Sequence, residues 1–565
     1  MNAALLAAIV FASFALGYRY YSRFLSEQIF ALREDEAVPS VELEDGVDFV
    51  PTRKSILWGH HYTSIAGAAP IVGPAIAVIW GWLPALLWVT LGTIFMGAVH
   101  DFAALVISLR HRGHSIGEVA ATVVSPRVRT MFLVVVSFLI WIVLAVFAFI
   151  IGTLFHDNPA AILPINVQIV LALALGWLVY RRGVPILVPT LVVYGVLLLT
   201  IFYGQDFADA FPAVGELSVL SWVWILLLYS FVASVLPVWL LLQPRDYLNS
   251  HQLLTGLFLL SGGLLVLQPT IVAPVIDASP EGAPPMIPFL FITIACGAIS
   301  GFHGLVGSGT TSKQICRATD ARPIGYGAML CEAALAILAT LAVATGLWNG
   351  PEHVHAFEYL SAVTAAGEAD GALHLPQVPQ ALAAFVNGAA GFLGALGLPI
   401  TVAAAVVAVL VISFAATSLD TALRIQRLIL AELGATYRIS GLSNRWIGGA
   451  LACGSVLLLI WADFEQGAKS LWPVFGATNQ VLAAFTLLLC ALYLRTLGRR
   501  ATAYAAPAVI VMVITISAMG VQVWRDFSQQ KWGVAGVGAM IGLLTLWVAL
   551  EGALAWRRGP SAPAD

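Results

Sequence analysis

The chain has 565 residues, of which 60% are hydrophobic and only 10% charged, and its mean hydropathy is +0.91. Soluble domains carry about a quarter charged residues, so a soluble enzyme or a nucleic-acid binder is excluded and an all-α polytopic membrane protein is expected. The net charge of −3 at pH 7 says little about partners other than the lipid bilayer, because the charges fall in loops.

The opening run MNAALLAAIVFASFALGYRYY has no basic residue before its apolar core and places Arg19 and Arg23 after it. A retained first helix is therefore expected rather than a cleaved signal peptide. An acidic stretch from Glu34 to Asp48 follows, either a small ordered insertion or a tether. Next comes SIAGAAPIVGPA, with two glycines and two prolines inside an apolar segment otherwise long enough to span. Irregular backbone survives at membrane depth only where protein or a watery cavity satisfies its polar groups. The break thus marks a candidate site in which Ser64, Gly67, Ala68, Ala69 and Gly73 act mainly through backbone, and the amide end of a half-helix suits a small carboxylate. The alternative is that Gly and Pro only permit kinks and close packing.

Ser230 to Asp246, SFVASVLPVWLLLQPRD, is expected as a second interrupted helix, with Ser234, Pro237 and Gln243 as candidate substrate contacts and Trp239 and Phe302 as limits on pocket size. Paired interruptions point to the substrate site of a secondary transporter, so the two breaks are expected side by side. Further on, Ala298 to Gln314 ends in small hydroxyl residues. Ser308, Thr310 and Thr311 are expected to face the carbonyls of Ala66 or Ala69 and to offer oxygens to Na⁺, with the Lys313 ammonium as a stand-in for sodium or a proton carrier. The alternative is a helix end whose hydroxyls bond backbone and whose Lys313 caps the dipole.

His100, Asp101, Glu332 and Asp420 interrupt apolar helices, where a charge costs about 2.5–3.5 kcal/mol on insertion scales. The three carboxylates are candidates for proton coupling. A local ion pair with Arg424 is the alternative for Asp420, and pairing with Arg110 or Arg322 is the alternative for Asp101. His60, His61 and His303 read as hydrogen-bonding packing residues. No HExxH or Cys/His cluster is present, so neither a metal site apart from Na⁺ nor a cofactor is expected. The five cysteines read as small packing residues.

Roughly fifteen apolar segments of spanning length are read. Basic residues gather in alternate loops, among them Arg53/Lys54, Arg110/Arg112, Arg181/Arg182, Arg245, Lys313/Arg317, Arg424/Arg427 and Arg495/Arg499. Those loops are expected in the cytoplasm, with the N-terminus outside and the C-terminus inside. The intervening loops, including Glu352 to Asp370 and Asp463/Glu465, are acidic or neutral. Leu373 to Leu398 is open between a span and a re-entrant or interfacial helix on the outer side. The first broken helix then runs outward and the second inward, which is an inverted repeat. One five-helix unit is placed over residues 59–203 and another over 219–430. Residues 1–58 hold the first helix and the acidic segment, and 444–565 form a four-helix extension.

With these residues in view, the chain resembles the carbon starvation protein family, CstA, of bacterial inner-membrane transporters. The resemblance is carried by SIAGAAPIVGPAIAVIWGWLPALLW, GAVHDF, LLQPRDYLNSHQL, ISGFHGLVGSGTTSKQI, ATDARPIGYGAMLCE, TSLDTALRIQRLIL and LWPVFGATNQVLAAF. It implies a multi-pass protein of the bacterial inner (plasma) membrane with kinship to the amino acid/polyamine/organocation superfamily and its LeuT-like five-plus-five inverted repeat. It also implies import of a small carboxylate, pyruvate, by proton symport during starvation, with Na⁺ as the alternative ion and a peptide as the alternative substrate. A substrate-binding sensor is the alternative class. A channel needs a filter or ring that one chain of this kind does not display, and an enzyme needs clustered reactive groups, whereas the ionisable residues here are scattered among helices. Oligomeric state has no signal in the sequence.

Overall fold

The computed structural model describes residues 1–346, 355–366, 375–462 and 471–558, and the regular structure among them is helical. Among the described residues, eleven helices are long and apolar enough to cross a membrane, or up to thirteen if each bent pair counts as one span. That is fewer than the fifteen expected. Val219–Val235, Val378–Gly394 and Arg445–Trp461 are apolar but shorter.

The N-terminal run forms one helix, α1 (Ala3–Ile29). The acidic segment after it is an ordered insertion rather than a tether. Asp45 Oδ1 accepts from the amides of Val47, Asp48 and Phe49 at 2.8–2.9 Å, an Asx-type turn. The strand-like stretch beyond donates from Val50 to the Lys313 carbonyl at 3.2 Å and from Thr52 to the Gln314 carbonyl at 3.0 Å. It covers one end of the bundle, called the basic end below because Lys54 and Lys313 lie there.

The first broken helix is present as α2 (Lys54–Ile65) and α3 (Ala69–Trp80), bent by 45°. Pro70 at the start of α3 has no amide to bond backwards, which fixes the break. There follow α4 (Trp82–Arg110), the short α5 (Ile116–Val123) and α6 (Pro126–Asp157). A hairpin of α7 (Pro159–Arg182) and α8 (Leu187–Phe202) comes next, then α9 (Val219–Val235) and α10 (Leu242–Leu267). The second half comprises α11 (Met286–Lys313), α12 (Ala318–Thr345), α13 (Ala356–Ala366), α14 (Val378–Gly394) and α15 (Ile400–Tyr437). The chain continues with α16 (Arg445–Ala462), α17 (Leu471–Thr496), α18 (Thr502–Ser528) and α19 (Trp532–Arg558).

The second break is not where the Pro237 motif placed it. Leu236 to Leu241 is a turn between two separate helices, α9 and α10, and Val238 donates to the Val47 carbonyl at 3.2 Å, so this turn lies at the basic end. Ala66 lies twelve helical residues beyond Lys54, about 18 Å along the axis. The helix interrupted at that depth is α11, whose halves Met286–Ile294 and Gly301–Gly309 flank irregular backbone at Ala295 to Ser300, with φ +31° at Ala295.

Helices in lipid gain little from burying apolar surface against each other, so small residues that let backbones approach decide the packing. A Cβ on Gly73 would lie 2.3 Å from the Thr293 carbonyl oxygen, so only glycine lets α3 lie against α11. Gly388 of α14 does the same against the Ala342 carbonyl of α12, where a Cβ would come within 2.2 Å. With Phe385 buried beside Ile71, Leu253 and Leu335, α14 is wedged between spans, which settles the described part of the Leu373 to Leu398 stretch as a short buried helix. Large apolar side chains such as Phe258 and Trp524 point outward, as a bilayer requires. The outer-loop expectations at Glu352, Asp463 and Glu465 lie outside the described residues.

Candidate functional site

The site is built from the two breaks. At the first, the Ser64 carbonyl accepts from Ser418 Oγ at 2.8 Å, and Ser64 Oγ lies 3.1 Å from Thr421 Oγ1. A Cβ on Gly67 would meet Ser418 Oγ and the Phe147 ring, both at 2.7 Å, so α6 and α15 close tightly on the break. The amides of Ala68 and Ala69 find no partner among the hydrogen bonds of the described residues, which leaves the N-terminal end of α3 with unpaired donors. Ser64, Ala66, Gly67, Ala68, Ala69 and Gly73 are thus together, buried, at one place.

At the second break, Asn479 of α17 serves as the cap. Its Oδ1 accepts from the Phe302 amide at 2.9 Å and from Ser300 Oγ at 3.2 Å, while its Nδ2 donates to Ser300 Oγ at 3.1 Å. Phe302 stands at the start of this half-helix beside the cap. The two breaks adjoin, because a Cβ on Gly297 would lie 3.0 Å from the Pro74 ring and Gly73 abuts Thr293 and Ile294.

Ser234, Pro237 and Gln243 do not join this site. Ser234 Oγ donates to the Phe231 carbonyl at 2.8 Å inside α9, and Pro237 is in the turn at the basic end. Gln243 Nε2 donates to Thr52 Oγ1 at 2.8 Å and to Gln314 Oε1 at 2.7 Å. Trp239 packs near the Tyr180 ring, centroids 6.0 Å apart, away from the breaks. Pro237 lies just past the end of α9, and Gln243 ties the start of α10 to Thr52 and Gln314.

The expected hydroxyl cluster also separates. Ser308 Oγ accepts from the Ile116 amide at 3.1 Å, Thr310 Oγ1 accepts from Gln314 Nε2 at 2.9 Å, and Thr311 Oγ1 lies 2.8 Å from His61 Nδ1. Helical rotation sends the three oxygens to different neighbours, and none faces Ala66 or Ala69. The hydroxyls that do meet the first break come from α15. Lys313 does not fold into the bundle either, since its ammonium packs over the Phe49 ring at 5.5 Å under the acidic insertion.

Asp101, Glu332 and Asp420 fall into two buried clusters. In one, Asp420 Oδ1 accepts from Ser230 Oγ at 2.6 Å and its Oδ2 pairs with Arg245. Arg245 also bonds Asp246 at 2.8 Å and Tyr229 at 2.7 Å, and Asp246 Oδ2 lies 2.6 Å from His60 Nδ1. The local Asp420–Arg424 pair does not form. Arg424 instead holds Asp48 at 2.6 Å and the carbonyls of Ala233 and Leu236, capping the end of α9. Arg245, Arg424 and Arg427, expected in loops, are all buried in helices.

In the other cluster, Asp101 bridges two histidines, with Oδ1 2.7 Å from His100 Nδ1 and Oδ2 2.9 Å from His303 Nδ1. His303 Nε2 lies 3.3 Å from Glu332 Oε2. All four side chains are fully buried. Asp101 therefore pairs with neither Arg110, which binds Glu36, nor Arg322. No group of three or more His, Cys, Asp or Glu among the described residues has a metal-binding arrangement.

The sequence does not single out Arg245, Asp246 or Asn479 as site residues, it gives His303 no role beyond packing, and it notes His100 only as an ionisable residue inside an apolar helix. The signal is present in GAVHDF, LLQPRDY and GATNQ, polar residues inside apolar helices, but their partners lie far along the chain.

These helices, breaks and buried motifs have a counterpart among known proteins, for the family model of the carbon starvation protein CstA matches residues 2–518. The chain belongs to the CstA family. The peptide transporter CstA of Escherichia coli (strain K12) is 32% identical over 89% of this chain and 79% of its own length. The peptide transporter CstA of Mycobacterium tuberculosis (strain ATCC 25618 / H37Rv) is 32% identical over 92% of this chain and 75% of its own. The pyruvate/proton symporter BtsT of Escherichia coli (strain K12) is 33% identical over 92% and 81%. Among solved structures, a manganese transporter of Eremococcus coleocola aligns over 91% of this chain and 99% of that chain, at 13% identity and a TM-score of 0.47. That likeness is too distant to carry site residues across.

Proposed function

We propose that this chain is a secondary transporter that imports a small carboxylate, pyruvate first and short peptides second, together with protons. The observation that carries the reading is the meeting of two interrupted helices, α2/α3 and α11, with unpaired amides of Ala68 and Ala69 at a half-helix end. Such ends favour an anion, and irregular backbone at this depth needs a partner. The names of the relatives, two peptide transporters and a pyruvate/proton symporter, support both substrate classes. The residues of the two breaks are mostly Ala, Gly and Ser, small side chains that favour the smaller one.

The five-plus-five repeat is drawn anew on this pairing of breaks. We take α2/α3, α4, α6, α9 and α10 as the first unit, with α7 and α8 inserted, and α11, α12, α15, α16 and α17 as the second. The basic end faces the cytoplasm under the positive-inside rule. No enzymatic chemistry is assigned. Labelled pyruvate uptake into proteoliposomes, with pH and sodium gradients imposed separately and di- and tripeptides as competitors, tests the reading. Accumulation driven by an acid exterior and blocked by pyruvate alone is expected. Accumulation under the sodium gradient only would replace the ion, and binding without flux would make the chain a sensor.

A further inference from the structure

We propose that the cluster His100–Asp101–His303–Glu332 is the coupling-proton site, with the proton shared between His303 Nε2 and Glu332 Oε2. The proposal deepens the transporter reading and rests on it.

The cluster holds two carboxylates and two imidazoles, and among the described residues neither Lys nor Arg forms an ion pair with any of the four. Its charge is therefore set by bound protons alone. A buried carboxylate is stable only when hydrogen-bonded, paired or neutral. Neither Glu332 oxygen has a hydrogen-bond donor, and the His303 Nε2 facing it at 3.3 Å is likewise without a hydrogen-bond partner. One proton in that gap satisfies both atoms. His303 Nδ1 meanwhile stays engaged by Asp101, which orients the ring.

Other elements packed around the cluster bring no permanent charge to it. His61 and Tyr62 of α2, Cys296 of α11 and Cys331 of α12 are the neighbouring titratable groups. Asp420 and Arg424 of α15 are committed elsewhere, and α17 contributes the neutral Asn479 at the cap. The His100 ring is held against α11 by Gly304, where a Cβ would come within 2.9 Å of it.

Position links the proton to the substrate. His303 lies in the half-helix Gly301–Gly309, one residue beyond Phe302 whose amide Asn479 caps. An imidazolium at His303 ties this half-helix to Asp101 of α4 and Glu332 of α12. Loss of the proton leaves a neutral ring whose Nδ1–H still donates to Asp101 but whose bare Nε2 faces the ionised Glu332, so the tie to α12 is released. Proton occupancy thereby sets how firmly the second break is fixed.

The test uses the full chain in proteoliposomes and compares pyruvate accumulation under an acid-outside gradient with pyruvate–pyruvate exchange at equal pH. Wild type that neither accumulates nor exchanges pyruvate or peptides would end the transporter reading itself. With wild type active, Glu332→Gln is expected to lose gradient-driven accumulation by about tenfold or more while exchange stays within about twofold. Retained gradient-driven accumulation in Glu332→Gln overturns the proposal. If exchange is lost as well, Glu332→Asp and His303→Gln are measured in the same way. Exchange in either with accumulation altered supports the site, and no exchange in all three makes the cluster structural and overturns it.

Discussion

Arg245 and His303 hold similar positions, each a fully buried base between two carboxylates, yet the two clusters differ in what a proton can do to them. Arg245 joins Asp246 and Asp420, with Tyr229 and Ser230 filling remaining valences. A guanidinium stays protonated in proteins, so that cluster has one fixed cation and a set charge. It fastens α10 to α15 and α9, and through His60 to α2. His303 joins Asp101 and Glu332 with no fixed cation, and it fastens α11 to α4 and α12. One cluster is a rivet and the other can be loosened. Under the proposal above, Asp420 is left out of the proton pathway, while Asp101 and Glu332 are kept in it.

The largest effect should come from breaking the fixed cluster at its cation. Arg245→Met leaves Asp246 and Asp420 buried without their fixed cation, which costs about 3–5 kcal/mol for a broken buried pair. Thermal unfolding in detergent should show a large drop or no folded protein. An unchanged midpoint would mean that Arg245 does not set the charge there. Asp420→Asn is milder, since Arg245 keeps Asp246 and Tyr229, and a loss of about 1–3 kcal/mol is expected. Its transport should retain dependence on the pH gradient. Loss of that dependence would put Asp420 back among the proton groups. Glu332→Gln should shift stability by only about 1 kcal/mol or less, because an amide replaces a carboxyl that the proposal keeps protonated for part of the cycle. A fall as large as that of Arg245→Met would make the two clusters alike.

The first break was legible because Gly67, Pro70, Gly73 and Pro74 are local signals that no neighbour can override. The second was misplaced for a physical reason. Pro237 looks like Pro70 in sequence, but a proline between two helices and one inside a broken helix differ only in what packs around them, and Val47 at the basic end decides it. The true second break, ACGAIS, is written in small residues without a proline and reads as ordinary close packing. Individual buried charges were visible, but their pairing was not. Asp420 has Arg424 one turn away, yet its partner is Arg245, 175 residues distant. Helix-face arithmetic finds neighbours on one helix and cannot weigh them against a second helix.

Asp48 extends the comparison to a carboxylate outside the spanning helices. It lies 2.6 Å from Arg424 Nη1 and 3.1 Å from Arg427 Nη2, again with fixed cations. Burial raises its carboxyl, but Arg424, Arg427 and Lys313 outweigh burial and hold it below the ordinary carboxylate range. A carboxyl lowered in the folded state contributes stability that is fully present above its unfolded value, about 4, and lost as pH falls through its folded value. At pH 7 Asp48→Asn should be less stable by about 1–2 kcal/mol. Below about pH 4 wild type should lose that advantage, so unfolding midpoints of the two proteins should converge on acidification. Parallel curves down to the acid limit would show that Arg424 and Arg427 gain nothing from this carboxylate, and that the fixed-cation rule drawn from Arg245 does not extend to the basic end.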